Sequence, residues 1–287
     1  MKWRNILRKS QENWREKLSN KVMDKSDNTI YLYIAGFNIG VFFEKTEWVL
    51  LKNKLRDEIL YYCSGFRLNE KPDHFDYYIY IKHRKAVEIL QRANLHKNFI
   101  NIYEDSKDNK IVTFYQISIV QFILILRKVL LELLSKNKGF LLHSSAANMD
   151  SKSAIFLGKD RAGKSTIVSL LKKYYPPLAD DISIIKRVDG VFCLYQTPFI
   201  EKEFLEKNSH KYSIGKIFFL RKAAYFAIEK ITKKDYIFEN LMNQIVSDKI
   251  SLKIQIKNIS DFVNKNDFYF LYFAKDIDKL MILFHYK

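Results

Sequence analysis

The chain is 287 residues long, enough for one large core or two smaller ones, and its 48% apolar content excludes a disordered protein. Its formal net charge of +17 admits nucleic acid, an anionic membrane surface or an acidic substrate as partner, but the lysines are scattered rather than blocked together, which favours a solvated basic surface. The opening Met1-Lys2-Trp3-Arg4-Asn5-Ile6 has no apolar leader core, and Arg127-Lys128 and Glu132 break the longest apolar run (117–134), so the expectation is a cytoplasmic protein without a transmembrane segment.

Residues 1–27 are polar and basic, with Trp3, Leu7, Trp14, Leu18 and Val22 at steps near three and four, the pattern of one amphipathic helix. The alternation over 29–43 predicts two strands, about 29–35 and 38–43, turning near Gly36-Phe37-Asn38. Thr46 then caps a predicted helix over 47–62, with Trp48, Leu51, Leu55 and Ile59 on one face, and Ser64-Gly65 ends it. A strand at 76–82, a short helix at 84–93 and a strand pair at 99–103 and 110–115 complete a small α+β unit. His74, His83 and His96 share no ligand spacing in it. Cys63 and Cys193 lie far apart and read as buried thiols of a reducing compartment.

Past residue 112 the pattern changes. A helix over 118–136 stops at Gly139, a strand runs from Phe140 to Asn148, and a turn leads into an apolar strand at 153–157. A short helix at 164–175 ends at Pro176-Pro177. Asp180-Asp181 heads the next apolar strand, Val188-Asp189-Gly190 turns the chain, and residues 191–195 return as its hairpin partner. A charged helix at 200–208, a strand at 213–220, a helix at 232–246, a strand at 268–273 and a terminal helix follow.

Between the strand at 153–157 and the helix at 164 stands Gly158-Lys159-Asp160-Arg161-Ala162-Gly163-Lys164-Ser165-Thr166. It fits G-x-x-x-x-G-K-S/T, with both glycines in place in a chain that holds only 8. In such a loop successive N–H groups point inward at an anion, and the following helix turns its positive end to the same place. Lys164 then reaches the β- and γ-phosphates of a nucleoside triphosphate, and Ser165 or Thr166 holds Mg²⁺. His143 and Asp180-Asp181 fall in the same window. Phosphoryl transfer needs a phosphate cradle, a carboxylate for the metal and an acceptor for a hydroxyl proton, and this window supplies each.

Leu141-Leu142-His143-Ser144-Ser145-Ala146-Ala147, Phe156-Leu157-Gly158 with Gly163-Lys164-Ser165-Thr166, and Leu178-Ala179-Asp180-Asp181 together resemble the bacterial HPr kinase/phosphorylase family and its small serine-kinase relatives. Those proteins share a fold with the ATP-dependent phosphoenolpyruvate carboxykinases. The resemblance covers residues 139–220. It implies an α/β P-loop kinase domain with a mixed sheet over 112–287, behind a small α+β domain over 1–111. It also implies ATP- and Mg²⁺-dependent phosphorylation of a hydroxyl, a serine of a protein or peptide ahead of a small alcohol. By carry-over, Gly158, Lys159, Asp160, Arg161, Ala162, Gly163, Lys164, Ser165 and Thr166 bind the nucleotide, Ser165 and Asp181 bind the metal, and Asp180 is the base, assisted by His143. The family places Ser and Gly where this chain has Asp160 and Arg161, so Arg161 either stands over the γ-phosphate or pairs with Asp160. A nucleotide-binding module without chemistry and a basic nucleic-acid-binding protein stay open as other classes, as does a homo-oligomer.

Overall fold

The computed structural model describes residues 28–83, 102–106, 108–199 and 205–285. The helices expected over 1–27 and 84–93 lie outside the described residues. So does most of the helix expected over 200–208, of which the described part, 205–208, is irregular.

Two mixed sheets organise the chain. The first contains β1 (Thr29–Ile34), β2 (Phe37–Phe43), β3 (Arg67–Leu68), β4 (Tyr77–Lys82), β5 (Tyr103–Ser106) and β6 (Lys110–Phe114), in the order β3-β1-β2-β4-β6-β5. The β1–β2 hairpin turns through Ala35 and Gly36, both at positive φ (52° and 80°), the arrangement whose twist matches the flanking strands. Alternation then sends Ile30, Leu32, Ile34, Ile39, Val41, Ile79 and Ile81 to one buried face. That face packs on α1 (Val49–Tyr62) and α2 (Ile119–Lys136). Trp48 departs from its expected place on the buried face. It precedes α1, is 56% exposed and lies over the His83 ring at 5.5 Å.

A reciprocal capping box, Ser118 with Gln121, starts α2. The helix is apolar nearly all round because it belongs to two packings at once. The same core that joins it to the first sheet also takes in Leu141, Ile182, Ile184, Cys193 and Tyr195 of the second. Among the described residues no helix is long and apolar enough to cross a membrane.

The second sheet contains β7 (Gly139–His143), β8 (Ser145–Met149), β9 (Lys152–Leu157), β10 (Pro177–Ala179), β11 (Ile182–Val188), β12 (Val191–Tyr195), β13 (Lys211–Lys222), β14 (Ala227–Lys230), β15 (Ile245–Val246) and β16 (Phe268–Phe273). Its order is β10-β8-β9-β13-β12-β11-β7-β15, and β16 and β14 branch from the second half of β13. The helices α3 (Lys164–Leu171) and α6 (Ile277–His285) share one core with it, and α4 (Lys234–Met242) and α5 (Lys249–Lys265) share another. The strand expected at 140–148 is two strands, broken at Ser144, and Asp180-Asp181 stand at the head of β11 as expected, with the short β10 before them. The helix expected over 232–246 stops at Met242 and gives way to β15.

Two half-buried lysines tie the two parts of the chain together. Lys186 on β11 donates to the Ala35 carbonyl at 2.9 Å and lies 3.8 Å over the Phe37 ring. Lys207 donates to the carbonyl of Tyr62, the last residue of α1, at 2.8 Å. Burial pulls both ammonium groups below their usual range, against the opposing pull of Asp76 on Lys186 and of Cys63 on Lys207. Gly65 makes the second tie sterically possible, because a Cβ there would come within 2.0 Å of the Lys207 carbonyl oxygen. Since that neighbour is backbone, Gly65→Ala should destabilise by about 1–3 kcal/mol. A lowered urea midpoint at unchanged slope checks this, and an unchanged midpoint would mean that the contact gives way freely.

Candidate functional site

The site begins with the two chain breaks, which lie side by side. Without Ser144, β7 and β8 would be one strand; without Asp180-Asp181, so would β10 and β11. Ser144 N–H donates to the Asp181 carbonyl and the Ser145 hydroxyl to the Asp180 carbonyl, each at 2.9 Å. The Ser144 hydroxyl also bonds to that of Ser183 at 2.8 Å. All three serines are fully buried, so their hydroxyls require such partners. These bonds hold the 180–181 backbone by its carbonyls at the lip of a cavity that both carboxylates line.

Register then delivers His143. The pairing of β7 with β11 puts Ile182 opposite His143, and His143 Nε2–H donates to Asp181 Oδ1 at 3.0 Å. The register thus sets the imidazole on Asp181, the neighbour of the Asp180 that the resemblance implies it assists. That hydrogen bond is the main reason the Asp181 carboxyl is held below its ordinary range. The charges of His143, Lys164 and Arg127 add to it, and partial burial opposes it.

The glycine loop forms the opposite wall. It leaves the end of β9 at Gly158, where a Cβ would come 2.6 Å from Ala162 Cβ, so the loop closes tightly on itself. Ala162 N–H donates to the Lys159 carbonyl at 3.0 Å, closing a turn in which Arg161 has φ 63°. Glycine or asparagine is favoured at that place. Gly163 follows at φ 108°, and a Cβ on it would meet Phe273 Cζ at 2.8 Å. No side chain caps α3, so its first N–H groups have no partner within the helix. Lys164 is 8% exposed and donates to the Gly158 carbonyl at 2.6 Å. Burial lowers its pKa, opposed by Asp160 and Asp181.

The cavity between these walls has a volume of about 350 Å³. Of the expected nucleotide-binding residues, Asp160, Arg161, Gly163, Lys164, Ser165 and Thr166 line it; Gly158, Lys159 and Ala162 shape the loop without lining it. His143, Asp180 and Asp181 complete it, together with Lys222, which sequence reasoning missed. Lys222 ends β13, the parallel neighbour of β9, and only the sheet pairing reveals it. Arg127 of α2 does not line the cavity and acts on Asp181 through its charge alone. Among the described residues no cluster of three or more His, Cys, Asp or Glu could cage a metal ion. Mg²⁺ is commonly held by one or two carboxylates plus substrate phosphates, and Asp181 with the Ser165 hydroxyl fits that donor set.

Two outcomes follow for this site. Asp181 stabilises the fold fully above the unfolded carboxylate pKa of about 3.9, and that contribution is lost as pH falls through its depressed folded value. His143→Phe should raise the Asp181 pKa, shrinking the contribution and flattening the acid limb of stability. Carboxyl NMR titration checks the shift, and an unmoved Asp181 resonance would mean that the pair does not form. Arg161→Gly should stabilise by about 1 kcal/mol, since a left-handed conformation is unfavourable for a residue with a Cβ. Calorimetry reads this as a raised Tm, and a lowered Tm would show that the guanidinium holds the loop.

No protein-family model matches the chain, and no curated protein does. Among solved structures, the Hpr(Ser) kinase/phosphatase from Coxiella burnetii is similar over 50% of this chain and 91% of its own, at 10% identity and a TM-score of 0.28. A likeness of that size assigns no activity to this chain.

Proposed function

We propose that this cavity binds a nucleoside triphosphate with Mg²⁺ and passes its γ-phosphoryl group to a hydroxyl, a serine of a protein or peptide ahead of a small alcohol. One observation carries the reading: Lys164, Ser165 and Thr166 of a glycine loop line a single cavity together with Asp180 and Asp181. Lys164 exchanges the Gly158 carbonyl for a phosphate oxygen. In this reading Ser165 and Asp181 hold the metal, and the His143 hydrogen bond to Asp181 supports that role by favouring its ionised form. Asp180, 7% exposed and lining the same space, accepts the acceptor's hydroxyl proton. The hydroxyl oxygen bonds to the γ-phosphorus as the bond to the bridging oxygen breaks, and the nucleoside diphosphate leaves. Residues 112–287 carry this chemistry in our reading, and residues 1–111 are assigned none.

Charge makes the metal necessary. Three acidic residues (Asp160, Asp180, Asp181) and three basic ones (Arg161, Lys164, Lys222) line the cavity. A bare polyphosphate gains little from a lining so balanced. With Mg²⁺ its charge falls and Asp181 becomes a ligand rather than a repeller.

A second reading, nucleotide binding without transfer, draws on Asp160, an acid in the cradle itself. Single-turnover transfer from labelled ATP separates the two. Lys164→Ala should weaken Mg·ATP roughly ten- to a hundredfold, the worth of one hydrogen bond to a charged group. Unchanged affinity in calorimetry would reduce the loop to a turn. Asp181→Asn should raise the Mg²⁺ requirement, whereas Asp180→Asn should spare Mg·ATP binding and cut transfer by about 10²–10⁴-fold. Exchanged phenotypes would exchange the two roles, and equal ones would end the division.

A further inference from the structure

A second cavity, of about 430 Å³, adjoins the first and shares Gly163, Thr166 and Lys222 with it. Its remaining lining is Ala223, Phe273, Ala274 and Lys275. Resting on the triphosphate reading above, we infer that this second cavity holds the nucleoside half of the nucleotide, and that it grips the base by apolar contact rather than by reading its edge.

Topology supports the placement. β13 is the parallel neighbour of both β9 and β16, and the carboxyl ends of the three supply the glycine loop, Lys222-Ala223 and Phe273-Ala274-Lys275. Ligands of open α/β sheets lie outside such carboxyl ends. Polarity sets the direction. Asp180, Asp181 and His143 line only the first cavity, so the γ end of the triphosphate and the acceptor hydroxyl belong there. The shared residues, Gly163 and Thr166 at the start of α3 and Lys222 at the end of β13, then take the middle of the phosphate chain. What lies beyond them is the far end of the nucleotide.

The lining chemistry suits a flat, largely apolar ring. Phe273 is 2% exposed and seated under Gly163, so it is a fixed floor. Ala223 N–H donates to the Phe273 carbonyl at 3.1 Å, which occupies two of the backbone groups a base edge could have used. Among the described residues the polar side chains lining it are Thr166, Lys222 and Lys275, and none offers the separate donor and acceptor atoms of a side-chain amide. A hydrophobic pocket of this kind rejects a near-isosteric ligand only weakly.

The test compares Mg·ATP with Mg·tripolyphosphate, which has the phosphates and no nucleoside. In Ala223→Leu and Ala274→Leu, each checked for folding by circular dichroism, Mg·ATP should weaken by about tenfold or more while Mg·tripolyphosphate binds as before. On the unaltered protein, 8-azido-ATP should label tryptic fragments 223–230 or 266–275, so the inference does not hang on the variants folding. GTP should compete within about tenfold of ATP. Labelling elsewhere, equal affinities for Mg·ATP in folded variants, or a base preference beyond about a hundredfold would overturn the second cavity's role and leave the phosphate site standing. If the unaltered protein binds neither Mg·ATP nor Mg·tripolyphosphate, the triphosphate reading itself fails, and this inference with it.

Discussion

The hydrogen bond from Ser144 N–H to the Asp181 carbonyl is the constraint on which the site depends. Two neighbouring strands bend at one level, and a bend leaves backbone groups without ladder partners. Here the partners are each other and three buried serines, so the bend is satisfied rather than strained. A straight pair of strands would alternate Asp180 and Asp181 to opposite faces of the sheet. The break lets adjacent carboxylates line one cavity, and the same register presents His143 to one of them.

The opposite wall is held from a third strand. Phe273 at the end of β16 fills the space a Cβ on Gly163 would need, so the loop rests on a ring that is itself fixed in the core. This explains why glycine is needed at 163 on two counts, conformation and room. Arg161 is the reverse case. It holds a left-handed conformation without being glycine, next to an acid, on the cavity lining. Strain of that kind persists only where the surroundings impose it, and such sites are often functional.

What was legible in the sequence was local. The glycine loop, the β1–β2 hairpin and the Asp189-Gly190 turn, with φ 49° and 84°, each carry their signal within a few residues. The break at Ser144 was not legible, because a bend whose backbone partner lies at Asp181, far along the chain, leaves no local signal. Helix α5 escaped for a sharper reason. Its buried face includes Ser251 and Gln255 before Ile259, Phe262 and Val263, while Ile254 and Ile256 stand exposed. Polar residues inside and isoleucines outside blur the periodicity that marks a helix. Lys222 was hidden by topology, as some sixty residues separate the paired strands β9 and β13.

The charge of the whole chain and the charge of its cavity tell different stories. A net +17 invites a reading by attraction alone: a basic protein for an anionic ligand. At the cavity, acids and bases balance, and Lys164 leans on a loop carbonyl with Asp160 and Asp181 near enough to oppose its depressed pKa. Long-range potential raises the local concentration of an anion and speeds its arrival; it does not by itself hold one in a neutral site. Binding there has to be completed by something that both the phosphates and the carboxylates accept, and a divalent cation meets that requirement. The same balance argues against nucleic acid at this cavity, since a backbone of separated phosphates would meet three carboxylates with no metal to reconcile them.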